Sequence, residues 1–311
     1  MHEQPLCLDT HHSTTRMLYR KEHGHVSGEG APAGKAVRSG GLRTRGYVKR
    51  SLPGLPLISI VTVVRNAAAS LERTIKSVLS QSYDNVEYVI VDGESIDGTV
   101  EIIARYDHCV DLWISEPDWG LYDAMNKGAR LASGDWILFL NADDELLASL
   151  KEIAAAMREP RTIYYGDVRW GTGGRIYDGE FTPLKLMFKN ICHQSIFYAR
   201  RVFEKYRYDP DYPVLADYHL NIRCFNDPDF RFEYLPVIVA AFNDETGFSK
   251  SNVDTRFEVE KDSLLRRFFP RRSYILYRIR KATVDLFERV GVKKRIIRLL
   301  EILGLKKYTV Y

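Results

Sequence analysis

An α/β fold built on an open, mostly parallel sheet is predicted by three observations. Between residues 57 and 145, short apolar runs rich in β-branched residues alternate four times with amphipathic helical segments. The connections have the length that parallel pairing demands. The runs end in polar residues, Asn66, Asp92, Glu116 with Asp118, and Asp143 with Asp144, and ligands of open α/β sheets bind outside the carboxyl ends of the strands.

The first run, Leu57 to Val64, is continuous enough to be a central strand buried on both faces, and Pro53 and Pro56 punctuate its entry. Ser70 can cap the helix that follows, in which Leu71, Ile75, Val78 and Leu79 share one face. Val86 to Val91 is the second strand, closed by Asp92 and Gly93, and Gly98 and Thr99 open the next helix. Val110 to Ile114 reads as a third strand, Leu121 to Leu131 as a helix, and Trp136 to Leu140 as a fourth strand that stops abruptly at Asn141-Ala142-Asp143-Asp144. A helix over Leu146 to Met157 is expected next, then an exposed strand or hairpin arm over Arg175 to Phe181, a strand over Gln194 to Tyr198, and an apolar-periodic helix opened by Asp217. This second half breaks the alternation, so a mixed sheet is expected there.

Charge divides the chain. The net +4 combines a basic stretch over 1–50 (9 basic, 4 acidic), an acidic core over 51–260 (21 basic, 33 acidic) and a basic tail over 261–311 (15 basic, 4 acidic). Residues 1–50, rich in Gly, Ser, His and Arg and without periodicity, read as a disordered tail. Residues 261–311 read as a basic helical extension. Its Ile296, Leu299, Leu300 and Leu303 share a face beside Lys293, Lys294, Arg295 and Arg298, as on a helix lying on an anionic bilayer surface or packed on its own domain. The acidic core argues against nucleic acid as a partner. No window reaches the ~18 apolar residues of a membrane span. Four cysteines without paired spacing suit a reducing cytoplasm, with peripheral attachment at the inner face of the plasma membrane as an option.

No glycine-rich phosphate loop is present. A bound diphosphate would therefore need a metal and scattered basic side chains. Adjacent carboxylates at the end of a buried strand are costly without a cation, and a hard divalent ion takes one or two carboxylates together with phosphate oxygens. Helix capping is the alternative use of Asp143 and Asp144.

The stretches ISIVTVVRN, VIVDGESIDGT, EPDWGLYDAMNKGARLASGDWILFLNADD and CHQSIFY resemble the inverting glycosyltransferases of family 2, over about residues 57–250. The resemblance implies the GT-A fold, with a nucleotide-sugar half over about 57–145 and an acceptor half over about 146–260. It implies transfer of a sugar from a nucleotide-diphosphate donor, a UDP-sugar, to a hydroxyl of a glycan or lipid-linked oligosaccharide, with Mn2+ or Mg2+ as cofactor, in bacterial surface polysaccharide synthesis.

Residue by residue, it implies that Thr62 and Asn66 meet the nucleotide and that Asp92 reads the base, a carboxylate being suited to accept the N3 hydrogen of uracil. Asp123, Asn126 and Lys127, which share a helical face, match the segment near the donor sugar and diphosphate. Asn141-Ala142-Asp143 stands at the family's DxD position with Asn in the first place, which makes Asp143 the principal metal ligand and Asp144 the supporting one. Asp217 matches the acidic residue that acts as base, with capping of the following helix as its alternative role. His193 and Gln194 match the pair that borders the acceptor pocket. The joint presence of Asp92, Asp143, Asp144 and Asp217 favours an enzyme over a non-catalytic nucleotide-sugar-binding or scaffolding protein of the same fold.

Overall fold

The computed structural model describes residues 5–21, 37–171, 174–242 and 253–289. Its strands are β1 (Tyr19–Arg20), β2 (Arg38–Gly40), β3 (Tyr47–Val48), β4 (Ile58–Val64), β5 (Val86–Asp92), β6 (Leu112–Ser115), β7 (Trp136–Phe139), β8 (Glu145–Leu146), β9 (Thr162–Trp170), β10 (Arg175–Tyr177), β11 (Ile196–Ala199) and β12 (Arg231–Phe242). Its helices are α1 (Leu71–Leu79), α2 (Thr99–Arg105), α3 (Leu121–Leu131), α4 (Leu150–Ala156), α5 (Pro183–Phe188), α6 (Arg200–Lys205), α7 (Ala216–Phe225), α8 (Thr255–Phe268) and α9 (Arg271–Arg289).

One sheet runs through the molecule in the order β2-β6-β5-β4-β7-β11-β9-β12-β8, with β10 added to β9. The centre, β6-β5-β4-β7, is parallel. Every residue of β4, β5 and β7 is buried, which is why these strands read as unbroken apolar runs rather than alternating ones. Beyond β7 the sheet becomes mixed: β11 runs antiparallel to β7 and β9, and β12 lies parallel to β9. Helix α3 lies close on β4 because Gly128 faces Val61, and a methyl group at 128 would collide with the Val61 side chain.

Three expectations need correction. The stretch expected as a helix from Leu146 begins instead with β8, and α4 starts at Leu150 after Ser149. The long strand β12 has no counterpart in the sequence reading. Pro236 interrupts it, and the register shift between Tyr234 and Ile238 absorbs the residue that cannot donate to the ladder.

The third correction concerns residues 1–50, whose described parts are folded onto the domain. Ser13, Thr14, Thr15, Leu18 and Leu42 are buried, and β2 adds an antiparallel edge to β6. The reason is charge. Glu87 on β5 is fully buried, and Arg43 pairs with it while donating to the Leu131 carbonyl. Burial alone would raise the Glu87 carboxyl, but Arg43, Ser133 and Ser59 together hold it below its ordinary range. Lys49, itself buried, lies 3.9 Å from Asp111 and donates to the Val86 carbonyl. Single charges of this kind leave no periodic trace.

Residues 290–311, with the apolar face at Ile296, Leu299, Leu300 and Leu303, lie outside the described residues. Among the described residues, no helix is long and apolar enough to cross a membrane.

Candidate functional site

A cavity of about 660 Å³ opens at the carboxyl ends of β4 and β7, within the size range of small-molecule sites. It is lined by the segment Val63 to Ser70 and the turn Asn141-Ala142-Asp143, and by Asn190, Cys192, His193, Gln194 and Asp217, with Trp170, Tyr177 and Phe242.

The turn after β7 explains why the carboxylates are there. Asp144 is fully buried. Its carboxylate accepts from the Asn141 amide N–H at 3.2 Å and from Gln194 Nε2 at 3.0 Å. Its carbonyl accepts from Thr74 Oγ1 at 2.6 Å, and the Asp143 carbonyl accepts from Arg73 at 3.0 Å. Helix α1 thus fastens the turn, and Asp144 shapes it from beneath. The Asp143 side chain lines the cavity. Neither residue caps a helix, since a strand and not a helix follows. Asn141 Oδ1 is buried and has no hydrogen-bond partner among the described residues.

Asp217 sits in the first turn of α7, whose cap position is Leu215. The carboxylate is not at the cap position, although its Oδ1 accepts from the Tyr218 amide N–H of the first turn at 2.8 Å. It accepts from Tyr122 Oη at 3.0 Å and Asn190 Nδ2 at 2.9 Å, and lies 3.3 Å from His193 Nδ1. Cys192, one residue before His193, is half-buried, and desolvation pushes its thiol well above the ordinary range, which leaves it a neutral wall group.

The structure separates the remaining sequence-predicted residues. Asn66 lines the cavity in a left-handed conformation, its amide N–H donating to Ser95 Oγ at 2.7 Å and its Oδ1 accepting from Ile96 at 2.9 Å. Thr62 faces the interior, 3.1 Å from the Tyr88 hydroxyl, and lies outside the cavity lining. Asp92 is buried at the end of β5, where its carboxylate accepts from the Ser95 amide and hydroxyl and from Ser115 Oγ. Asp123 and Lys127 pair with each other at 3.3 Å, and Lys127 also reaches Glu116 at 3.0 Å. Both stand outside the cavity lining. Asn126 points away from this group to clasp the backbone of Tyr208, donating to its carbonyl and accepting from its amide N–H, each at 2.9 Å. The shared helical face predicted for 123, 126 and 127 therefore divides: 123 and 127 act together, and 126 belongs to the interior. Asn190 and Tyr122, which hold Asp217, were missed by sequence reading, and the only signal for either was the tyrosine inside the LYDAMNKG stretch.

A central, mostly parallel sheet flanked by helices, with a cavity at its strand ends, is the architecture of a GT-A glycosyltransferase. Solved structures share it: S. aureus TarS 1-349 in complex with UDP-GlcNAc, 16% identical, covers 68% of this chain and 71% of that one with a TM-score of 0.53. A mannosyltransferase from Pyrobaculum calidifontis in complex with GDP-Man and Mn2+, 15% identical, covers 82% and 84% with a TM-score of 0.51. Among curated proteins, a PGL/p-HBAD biosynthesis glycosyltransferase of Mycobacterium tuberculosis is 39% identical over 211 residues, 65% of this chain and 82% of its own length. An uncharacterized glycosyltransferase of the same species is 41% identical over 181 residues, 54% and 69% of the two chains. The family model described as glycosyl transferase family 2 matches residues 59–219, and the chain belongs to that family.

Proposed function

We propose that this glycosyltransferase moves a sugar from a nucleoside-diphosphate donor, a UDP-sugar, to a hydroxyl of a glycan or lipid-linked oligosaccharide, with inversion at the anomeric carbon and with Mn2+ or Mg2+ as cofactor. The observation that carries the reading is that Asp143 and Asp217 line one cavity. A donor diphosphate on the Asp143 side and an acceptor on the Asp217 side would meet between them. Inverting transfer needs one base and no enzyme nucleophile, and Asp217 with the groups bonded to it forms the one buried acid-base cluster on that side.

The residues fit a divalent cation. Asp143 offers a carboxylate oxygen, and the orphaned Oδ1 of Asn141 in the same turn offers a second hard donor. Asp144, committed to Gln194 and the Asn141 backbone, would support them from beneath rather than ligate. A bound ion would stabilise charge on the departing diphosphate. Such a pair also suits an ion that draws its other ligands from the substrate, in keeping with the absence of any cluster of three His, Cys, Asp or Glu among the described residues. The UDP preference rests on the DGESIDGT stretch and its resemblance to the family's base-reading loop.

The basic carboxy-terminal segment is proposed to lie against an anionic membrane. Helix α9 turns Tyr277 inward against Phe188 of α5, with ring centroids 4.9 Å apart, and leaves Ile275, Leu276, Ile279 and Leu286 exposed beside Arg271, Arg272 and Lys281.

Calorimetry with UDP-, GDP- and dTDP-sugars, each with Mn2+ or Mg2+ and again with chelator, tests the donor reading. Metal-dependent binding of a UDP-sugar is expected. Binding that chelator leaves unchanged would remove the cation from the proposal, and preference for another base would remove the uridine.

A further inference from the structure

We infer that the domain carries a second binding site at the far end of β7 from the catalytic cavity, built from arginines and fitted to the diphosphate group of a ligand. The inference stands apart from the transfer reading, because none of the residues lining this second cavity lines the catalytic one.

The second cavity, of about 550 Å³, lies among α3, α6 and α7 and is lined by Arg130, Arg200, Lys205, Arg207 and Arg223, with Glu204 as its one acidic side chain. That volume is within the range of small-molecule sites. Its place follows from the sheet: Arg200 succeeds Ala199, which pairs with Trp136 at the start of β7, whereas the catalytic cavity opens where β7 ends. Over residues 51–260 carboxylates outnumber bases, 33 to 21. A concentration of bases in one cavity therefore runs against the surrounding composition.

Ordinary structural roles account for part of it. Lys205 is matched by Asp227 at 2.6 Å and Asp229 at 2.8 Å, so its charge is spent. Arg130 and Arg223 stand in the last turns of α3 and α7, where the helix dipole favours a base. The four arginines nevertheless have no ion pair among the described residues. Two of them are held by neutral partners: Arg200 donates to the Ser133 carbonyl at 3.1 Å, and Arg223 lies over the Tyr206 ring, 4.3 Å from its centroid. Such contacts orient a guanidinium and leave its charge unmatched.

Magnitudes then decide the ligand class. Four guanidinium groups less Glu204 leave three positive charges, and the two helix ends offset about one of them at roughly half a unit each. A residue of about two charges suits a diphosphate. Guanidinium forks bind phosphate oxygens in pairs, which a lysine ammonium does not. Phe203, also in the lining, gives an apolar surface for whatever the diphosphate is attached to.

Calorimetric titration of the full chain with inorganic pyrophosphate tests this. It is run with chelator and in the Asp143→Ala background, so that the metal-dependent donor cavity does not contribute. One binding site is expected. Arg130→Ala combined with Arg207→Ala should weaken it about tenfold or more, while the unfolding midpoint stays within about 2 °C, because both side chains are exposed. Arg130→Lys with Arg207→Lys keeps the charge but not the fork and should recover only part of the affinity. A wild type that binds no sugar donor leaves these comparisons intact.

Absence of binding at millimolar pyrophosphate would overturn the proposal, as would full affinity in either double variant. Sulfate binding as tightly as pyrophosphate would mean an adventitious ion only. Displacement identifies the source of the diphosphate. UDP displacing pyrophosphate under the same conditions supports the site with a soluble ligand. Vesicles of phosphatidic acid in phosphatidylcholine displacing it, where phosphatidylcholine alone does not, support the site with a lipid headgroup. Displacement by neither would leave a site that only the inorganic ion enters and would end the proposal.

Discussion

Asn126 and Tyr208 are joined by two hydrogen bonds of 2.9 Å, the side-chain amide of one closing a ring with the backbone of the other. The asparagine of the LYDAMNKG stretch thus braces the loop that precedes α7 and so bears indirectly on Asp217. Asn126→Ala is expected to cost about 2 kcal/mol of stability, because it orphans a buried N–H and a buried C=O. Donor affinity should be unchanged. Urea denaturation and calorimetry on the same variant check both halves, and a large loss of donor affinity in a fully folded protein would place residue 126 back at the ligand.

Thr62 calls for the converse experiment. Its hydroxyl meets the Tyr88 hydroxyl in the interior, so Thr62→Val should leave donor binding within twofold of wild type and change stability by about 1 kcal/mol or less. Weakened nucleotide binding would show that this strand end reaches the donor.

Asp143→Ala is expected to remove most of the metal-dependent part of donor binding, about tenfold or more, because Asp143 lines the cavity. Asp144→Ala should instead destabilise the fold, since it strands Gln194 Nε2 and the Asn141 amide. Comparing unfolding midpoints with donor titrations separates the two roles.

His219, two residues after Asp217, gives a pH prediction. Burial lowers its pKa to about 4 from an ordinary 6.5, Arg223 adding to the effect while Asp209 and Glu260 oppose it and Arg256 reinforces it. A depressed histidine contributes stability that is fully present above pH 6.5 and is lost as pH falls through 4. The contribution is about 3 kcal/mol at 1.36 kcal/mol per unit. Unfolding free energy measured between pH 7 and 4 should fall accordingly, and His219→Gln should flatten that part of the curve. An unchanged slope in the variant would clear His219 of the effect.

The amino-terminal clamp makes a further stability test. Arg43→Ala leaves Glu87 as an uncompensated buried charge and is expected to cost about 3 to 5 kcal/mol. Glu87→Gln in the same chain should recover part of it, as read by denaturant midpoints.

These outcomes follow the line between what the sequence made legible and what it did not. The βα repeats from β4 to β7 announced themselves because strands buried on both faces are largely apolar, and α3 was read with its boundaries intact. The turn after β7 stood out for the same reason: Asn141, Asp143 and Asp144 end an apolar run abruptly. Non-local pairings were not legible. Whether Asp144 or Asn141 turns toward the cavity depends on Gln194, fifty residues away; residues 37–50 meet Glu87 and Asp111, and residues 5–21 meet the Val78 and Cys109 carbonyls and Asp84. One signal was available in principle, since a glutamate inside VEYVIV is a buried carboxylate in need of a counter-charge. Strand β12 escaped because Pro236 disguises it, and only the partner strand β9 reveals the bulge that accommodates it.

The clamp has an evolutionary corollary. The family match begins at residue 59, yet the counter-charge for Glu87 comes from residue 43. A lineage can therefore discard the leading segment only after, or together with, replacing that glutamate by a neutral side chain. Across relatives the two positions should substitute in concert, and chains that begin near the first central strand should carry an uncharged residue at position 87.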